Sequence, residues 1–411
     1  MSLLKSKPKV PTIYYPQEIE MDIYCGNLLG YSHPSTSVYN IVKTDEFLNE
    51  QSKNLTPLGQ IINIDDNGNY FNYIITLDEN EKINQSKNII DKPIVGFGQI
   101  LAIRKGNEIE FYTNEGIQCA QESYSLLIDL FSRNTGILES RDMLDKSVVI
   151  VGCGSVGSLI ALELTRAGVG NFFLIDSDML SYHNLCRHQC GIPDVGRYKV
   201  DAVEERILQI NPSSSVKKHV GIIEAVSKDE FEEFCNSDTL IIGCADNREG
   251  DLYANKIAKN FKCSFLSIGL MKRAFAGEIF YSLYNSAPCY NCLYEAREDV
   301  SLRTAQGSKR VYEGDIENFE PGISADITFV TIIGVKIAID ILNITNPNFH
   351  TRVLNDLSHF TWICNTNNVA IGGDDAEYFS YPLQITTSME VGFSGECKSH
   401  QGCKLYNNHK L

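Results

Sequence analysis

Short apolar runs, separated by stretches with a helical repeat, dominate the middle of the chain. The runs at 148–151, 172–175, 239–243 and 264–268 are nearly free of charge. Runs this short and this apolar predict strands buried on both faces. Between them, apolar positions recur at three- and four-residue intervals over 158–167, 200–209, 228–235 and 252–260, which predicts helices. A further strand is expected near 216–222 and a later one at 278–281. Strands and helices that alternate in this way predict the α/β class, with a doubly wound, mostly parallel, Rossmann-like sheet.

The first 121 residues follow another pattern. Alternating segments at 60–64 and 70–75 flank Asp65-Asp66-Asn67-Gly68-Asn69, and those at 99–103 and 108–112 flank Lys105-Gly106-Asn107. Each is a hairpin signal. Polar stretches at 49–54 and 78–87 read as loops. Residues 1–121 are therefore expected to form a smaller N-terminal α+β appendage. A helix over 122–133 would lead into the second domain, 122–411. The apolar stretch 327–342 is interrupted by Thr331, Lys336 and Asp340, which predicts a buried helix and not a membrane span. Beyond Asn346 the chain reads as loop-rich.

Composition narrows the classes of partner. The 411 residues carry a formal net charge of −16, a surface that repels phosphate backbones and disfavours nucleic acid. Thirteen cysteines, an odd number without a secretory segment ahead of them, suggest reduced thiols in a cytoplasmic protein.

The chemistry concentrates after the first apolar run. Gly152-x-Gly154-x-x-Gly157 follows 148–151 directly, and Asp176-x-Asp178 closes the next strand. This is the βαβ nucleotide fingerprint in its proper context. Gly152 permits a tight turn, Gly154 lets phosphate oxygen approach the backbone, and Gly157 lets the helix lie on the sheet. Asp176 is placed to accept ribose hydroxyls. The glycines alone would equally suit a NAD-dependent oxidoreductase. Farther on come Asn184, Arg187 and Gln189, then Lys199, then Asp246. Cations beside a pyrophosphate, with a carboxylate for Mg²⁺, suit cleavage of an α–β phosphate bond better than hydride transfer.

These motifs resemble the E1-like adenylating family (ThiF, MoeB, MccB and HesA) over about residues 132–342. The resemblance is carried by G-C-G-S-V-G, L-I-D-S-D-x5-N-L-x-R-x-Q, V-G-x-x-K, C-A-D-N, P-C-Y-N-C and P-G-x3-D. It implies ATP- and Mg²⁺-dependent adenylation of a C-terminal carboxylate, with release of pyrophosphate. The substrate would be a ubiquitin-like or sulfur-carrier protein, or a ribosomally made peptide. By the same resemblance Asp176 would hold the ribose, Asn184, Arg187 and Lys199 the triphosphate, and Asp246 the Mg²⁺. Gln189 would lie near the phosphates, and Asp178 completes the acidic pair. Arg133 would serve as an arginine finger reaching the partner subunit of a homodimer.

Cys289 and Cys292 offer half of a structural Zn²⁺ site, and Cys397 with Cys403, at wider spacing than the family's second pair, offer the other half. His400 is an alternative ligand, and a redox pair is the competing reading. The segment Ser301-Leu302-Arg303-Thr304-Ala305 lacks the cysteine that thioester-forming members often carry, so plain adenylation is favoured. His183 and His188 are expected to be structural or peripheral, and Cys186 and Cys190 to pack inertly. A non-catalytic half of a heterodimeric activator is a third class, disfavoured because every ATP-site residue is present.

Overall fold

A computed structural model describes residues 10–21, 26–45, 55–77, 83–90, 99–245, 248–284, 288–295 and 321–389. The chain divides into two compact units, Met1–Ser132 and Arg133–Leu411.

The first unit is built on a nine-stranded sheet among its described residues. Its strands are β1 (Thr12–Pro16), β2 (Gly26–His33), β3 (Val38–Asp45), β4 (Thr56–Ile64), β5 (Tyr70–Leu77), β6 (Ile83–Ile90), β7 (Ile100–Lys105), β8 (Glu108–Thr113) and β9 (Ala120–Tyr124), with one short helix, α1 (Glu18–Met21). Both expected hairpins form: β4 pairs antiparallel with β5, and β7 with β8. One face buries Ile13, Leu28, Ile41, Ile61, Ile100, Ala102 and Phe111.

Two expectations fail here. The segment 83–87, expected within a loop, belongs to β6, which pairs along the whole of β5. A polar strand is tolerated at the sheet's edge, where one neighbour pairs one side of its backbone and water can serve the other. The expected helix over 122–133 is likewise absent. Residues up to Tyr124 are claimed by parallel pairing with β1, and residues 126–137 form a string of turns. Ser125 Oγ accepts the Leu127 and Ile128 amides at 3.3 and 3.1 Å, and Asp129 takes the Ser125 amide at 2.7 Å. Such local side-chain bonds compete with a helical ladder. The segments 49–54 and 78–82 lie outside the described residues.

The second unit carries the expected α/β architecture. Its strands are β10 (Ser147–Val151), β11 (Asn171–Asp176), β12 (Ser215–Val220), β13 (Leu240–Gly243), β14 (Ser264–Leu270), β15 (Ala276–Ser282), β16 (Phe360–Cys364) and β17 (Gln384–Met389). Their order is β12-β11-β10-β13-β14-β15-β16-β17. The first five are parallel, and the last three join antiparallel. The loop-rich reading after Asn346 therefore missed two strands. All five residues of β16 are buried, a run too short to distinguish from a packed loop by periodicity.

The α-helices among its described residues are α2 (Ser140–Leu144), α3 (Ser155–Arg166), α4 (Lys199–Ile210), α5 (Lys228–Phe234), α6 (Arg248–Asn260), α7 (Tyr290–Glu295), α8 (Ser324–Leu342) and α9 (Val369–Gly372). Alternate strand residues serve opposite faces. Val148, Ile150, Phe172, Leu174, Leu240 and Ile242 join a core with α3, α4 and α8. Val149, Val151, Phe173, Ile175, Ile241 and Phe265 join a second core with α5 and α6. In α8, buried Asp340 accepts the amides of Arg352, Val353 and Leu354 at 2.8, 2.8 and 3.0 Å through one carboxylate oxygen. That contact explains a buried carboxylate in a mostly apolar helix.

Strand order reverses at β10: the next strand, β11, lies on one side and β13 on the other. A crevice opens at such a switch, beyond the carboxyl ends of the strands, and ligands of open α/β sheets bind there.

Candidate nucleotide-binding crevice

The glycine segment joins β10 to α3 at this switch point. Gly152 has φ +92°, and its amide bonds the Ile175 carbonyl at 2.8 Å, tying the loop to β11. Gly157 is required by packing, since a Cβ there would lie 1.8 Å from the Gly152 carbonyl oxygen. Gly154 is different. A Cβ on it would meet nothing within 4 Å, so the protein's own packing does not demand a glycine.

Asp176 closes β11 beneath this loop. Its Oδ2 accepts the Cys153 amide at 2.6 Å, and its Oδ1 accepts the Asp178 amide at 2.7 Å. Burial raises its pKa against the pull of Lys199 and of those amides. A carboxylate has about four acceptor positions, so two remain for hydroxyls.

Asp178 and Lys199 are tied twice. Lys199 Nζ donates to Asp178 Oδ2 at 2.7 Å, and the Lys199 amide donates to the Asp178 carbonyl at 2.9 Å. The ammonium is largely buried (11% side-chain exposure), whereas the Asp178 carboxylate is half-exposed at 51%. Lys199 also begins α4, so its position is set by the helix.

The connecting segment is locally braced. Asn184 Oδ1 accepts the Ser181 amide at 2.9 Å, and the Asn184 carbonyl accepts the Arg187 and His188 amides at 3.0 and 2.9 Å. Arg187 is half-buried. Its Nη1 lies 3.9 Å from where a Cβ on Gly322 would stand, which brings the P-G-x3-D segment beside it. The Gln189 amide reaches Ser158 Oγ on α3 at 3.4 Å. Buried Asp194 gathers Arg197 and Arg206 at 2.8 and 2.7 Å and the Gly191 amide at 3.0 Å. Arg197 therefore has a structural task here.

His188 is buried. Cys190 is buried, with its thiol pushed up to about 12 chiefly by burial, which fits inert packing. Cys186, by contrast, is exposed. Arg133 is exposed and takes part in none of these bonds. Asp246 lies outside the described residues, as do Cys397, Cys403, His400 and the segment 301–305.

Cys289 and Cys292 are both fully buried, with their sulfurs 3.6 Å apart. Tyr290 between them donates its amide to Asn255 Oδ1 at 3.3 Å, and its hydroxyl lies 3.3 Å from Ser267 Oγ, which donates to Asp251 Oδ2 at 2.7 Å. The described residues contain no group of three His, Cys, Asp or Glu side chains able to hold a metal.

Sequence reasoning overlooked two features of this unit. Asn365 Nδ2 donates to the Ala274 carbonyl at 2.7 Å and to the Asp326 carbonyl at 2.9 Å. It thereby pins a turn in which Arg273 and Ala274 both have positive φ, +52° and +51°. Asp251 and Asn255 form part of a buried polar stripe on α6. Neither feature carries a motif that would have revealed it.

The ThiF family model matches residues 126–368. Ubiquitin-like modifier-activating enzyme 5 of Bombyx mori is 28% identical over 201 residues, covering 45% of this chain and 48% of that protein. Its Drosophila persimilis counterpart is 32% identical over 160 residues, covering 36% and 41%. The chain thus spans about half the length of the curated relatives it matches. A crystal structure of E. coli MccB with ATP aligns with a TM-score of 0.47 at 18% identity, covering 67% of this chain and 75% of that one. Among the described residues no helix is long and apolar enough to cross a membrane.

Proposed function

Because the chain belongs to the ThiF family, we propose that its crevice adenylates the C-terminal carboxylate of a ubiquitin-like or sulfur-carrier protein, or of a peptide. The observation that carries this reading is Gly154, a glycine with open space where a Cβ would stand, between two glycines that the fold itself requires. Close approach by anionic oxygen supplies the missing reason.

Asp176 accepts the ribose hydroxyls with its two remaining positions. Lys199 and Arg187 stabilise negative charge on the triphosphate, with Asn184 and Gln189 alongside. Asp178 holds the Lys199 ammonium in place until phosphate oxygens compete for it. Asp246, assigned from the C-A-D-N motif alone, is the ligand for Mg²⁺, which would shield charge on the departing pyrophosphate. The attacking carboxylate is ionised at neutral pH, so no general base is needed. Its oxygen bonds the α-phosphorus as the bond to pyrophosphate breaks, and the side chains supply orientation and charge stabilisation. Arg133 acts on the partner subunit's site in a homodimer.

The residues at Cys289 and Cys292 fit a structural Zn²⁺. Tetrahedral Zn–S bonds of about 2.3 Å place two sulfurs roughly 3.8 Å apart, close to the 3.6 Å found. Cys397 and Cys403 would complete the set. Residues 1–121 serve as the substrate-recognition domain, a reading supported by the edge strands β6 and β9, which suit strand addition by an extended tail.

ATP–pyrophosphate exchange, measured with candidate carrier proteins and peptides, tests the reading. Exchange that disappears in Asp246→Ala is expected. A crevice that binds a nicotinamide cofactor and exchanges no pyrophosphate would sink it.

A further inference from the structure

We propose that His188 is the positioning residue that aims the Gly154 amide toward phosphate oxygen, an inference that rests on the nucleotide reading above. His188 lies 35 residues beyond Cys153 in sequence, yet its Nε2 is 2.8 Å from the Cys153 carbonyl oxygen. Its Nδ1 is 3.1 Å from the Cys190 amide. An amide nitrogen can only donate, so Nδ1 is the acceptor and the imidazole proton sits on Nε2, donated to Cys153. The ring is buried, and the charged groups that face it are Lys199 and Asp194.

Both polar groups of the Cys153 backbone are thereby held, the carbonyl by His188 and the amide by Asp176 Oδ2 at 2.6 Å. In a trans peptide the carbonyl and the following amide point in opposite directions. A Cys153 carbonyl drawn inward to the buried imidazole turns the Gly154 N–H outward. Gly154 is also the N-cap of α3, without a side-chain cap of its own. A Cβ on Gly154 would likewise meet no protein atom within 4 Å, so space is open beside this residue.

Equilibrium binding of ATP and of adenosine to the full chain tests this. His188→Phe keeps the ring's bulk and removes the donor, while His188→Gln restores a donor at similar reach. The expected result is a roughly ten- to hundredfold loss of ATP affinity in His188→Phe, the scale of one charge-assisted hydrogen bond. Adenosine affinity should stay unchanged, and His188→Gln should recover most of the ATP loss. Amide exchange at residues 153–155, measured without nucleotide, should quicken in His188→Phe. Wild-type ATP affinity in His188→Phe, an equal loss for adenosine, or His188→Gln as weak as His188→Phe would overturn the proposal.

If His188→Phe does not fold, ¹⁵N shifts of the wild-type imidazole decide. The Nε2–H tautomer supports the role, and the Nδ1–H tautomer removes it. A wild-type chain that binds no ATP would end the nucleotide reading, while the exchange comparison would still report whether His188 fixes the loop.

Discussion

Asp178 holds Lys199 at both ends, by its carboxylate at the ammonium and by its carbonyl at the amide, 2.7 and 2.9 Å away. The lysine thus reaches the crevice already oriented. Replacing it by methionine keeps the buried stem and deletes the charge. Pyrophosphate exchange in Lys199→Met should fall by about 10²- to 10³-fold, the usual cost of losing one electrostatic partner of a transition state. Asp178→Asn should cost less, because the Lys199 ammonium itself remains and the amide oxygen can still accept from it. Equal losses in the two variants would contradict that ranking.

Gly154 and Gly157 should respond oppositely to alanine. At Gly157 the new Cβ would collide with backbone at 1.8 Å, and thermal unfolding should report a destabilisation of about 3 kcal/mol or more. Gly154→Ala should unfold like the parent, since it meets no protein atom, but bind ATP more weakly. A Gly154→Ala protein with full ATP affinity would remove the main support for the phosphate reading.

Asp340→Ala removes from α8 the acceptor of three backbone amides, those of Arg352, Val353 and Leu354 in the segment that follows the helix. A loss of about 3 kcal/mol is expected in urea titration, with no specific effect on nucleotide affinity. Asp340→Asn, which keeps an acceptor oxygen, should lose less.

Burial lowers the pKa of His188 below the ordinary imidazole value of 6.5. Between those two values the unfolded chain binds more protons than the folded one, so stability rises with pH. The contribution is complete above about pH 6.5 and is lost as pH falls through the lowered folded value. Melting curves from about pH 8 to 5 should show this component in the parent and lack it in His188→Gln. A component that instead grew on acidification would contradict the buried neutral ring.

Zinc content offers a separate check on the sulfur pair. Purified protein should carry about one Zn²⁺ per chain, and Cys289→Ser should release it and lower the melting temperature. A metal-free native protein of unchanged stability would favour plain packing of the two thiols.

The parallel strands and the glycine turn were legible because their causes are local. A short apolar run can be buried only on both faces, and a turn that needs φ +92° asks for glycine wherever it stands. The place of Asp176 at the end of β11 was legible for a related reason, since strand ends in an alternating β/α pattern must share one edge. The consequences of strand pairing were not legible. The polar strand β6 and the edge strand β9 have no apolar signature of their own and exist because a neighbour completes their backbone bonds. The tasks of His188, Asn365 and Asp340 are of the same kind. Each depends on which distant carbonyl or amide the folded chain brings within 3 Å, and that distance is a property of packing, which no spacing along the sequence encodes.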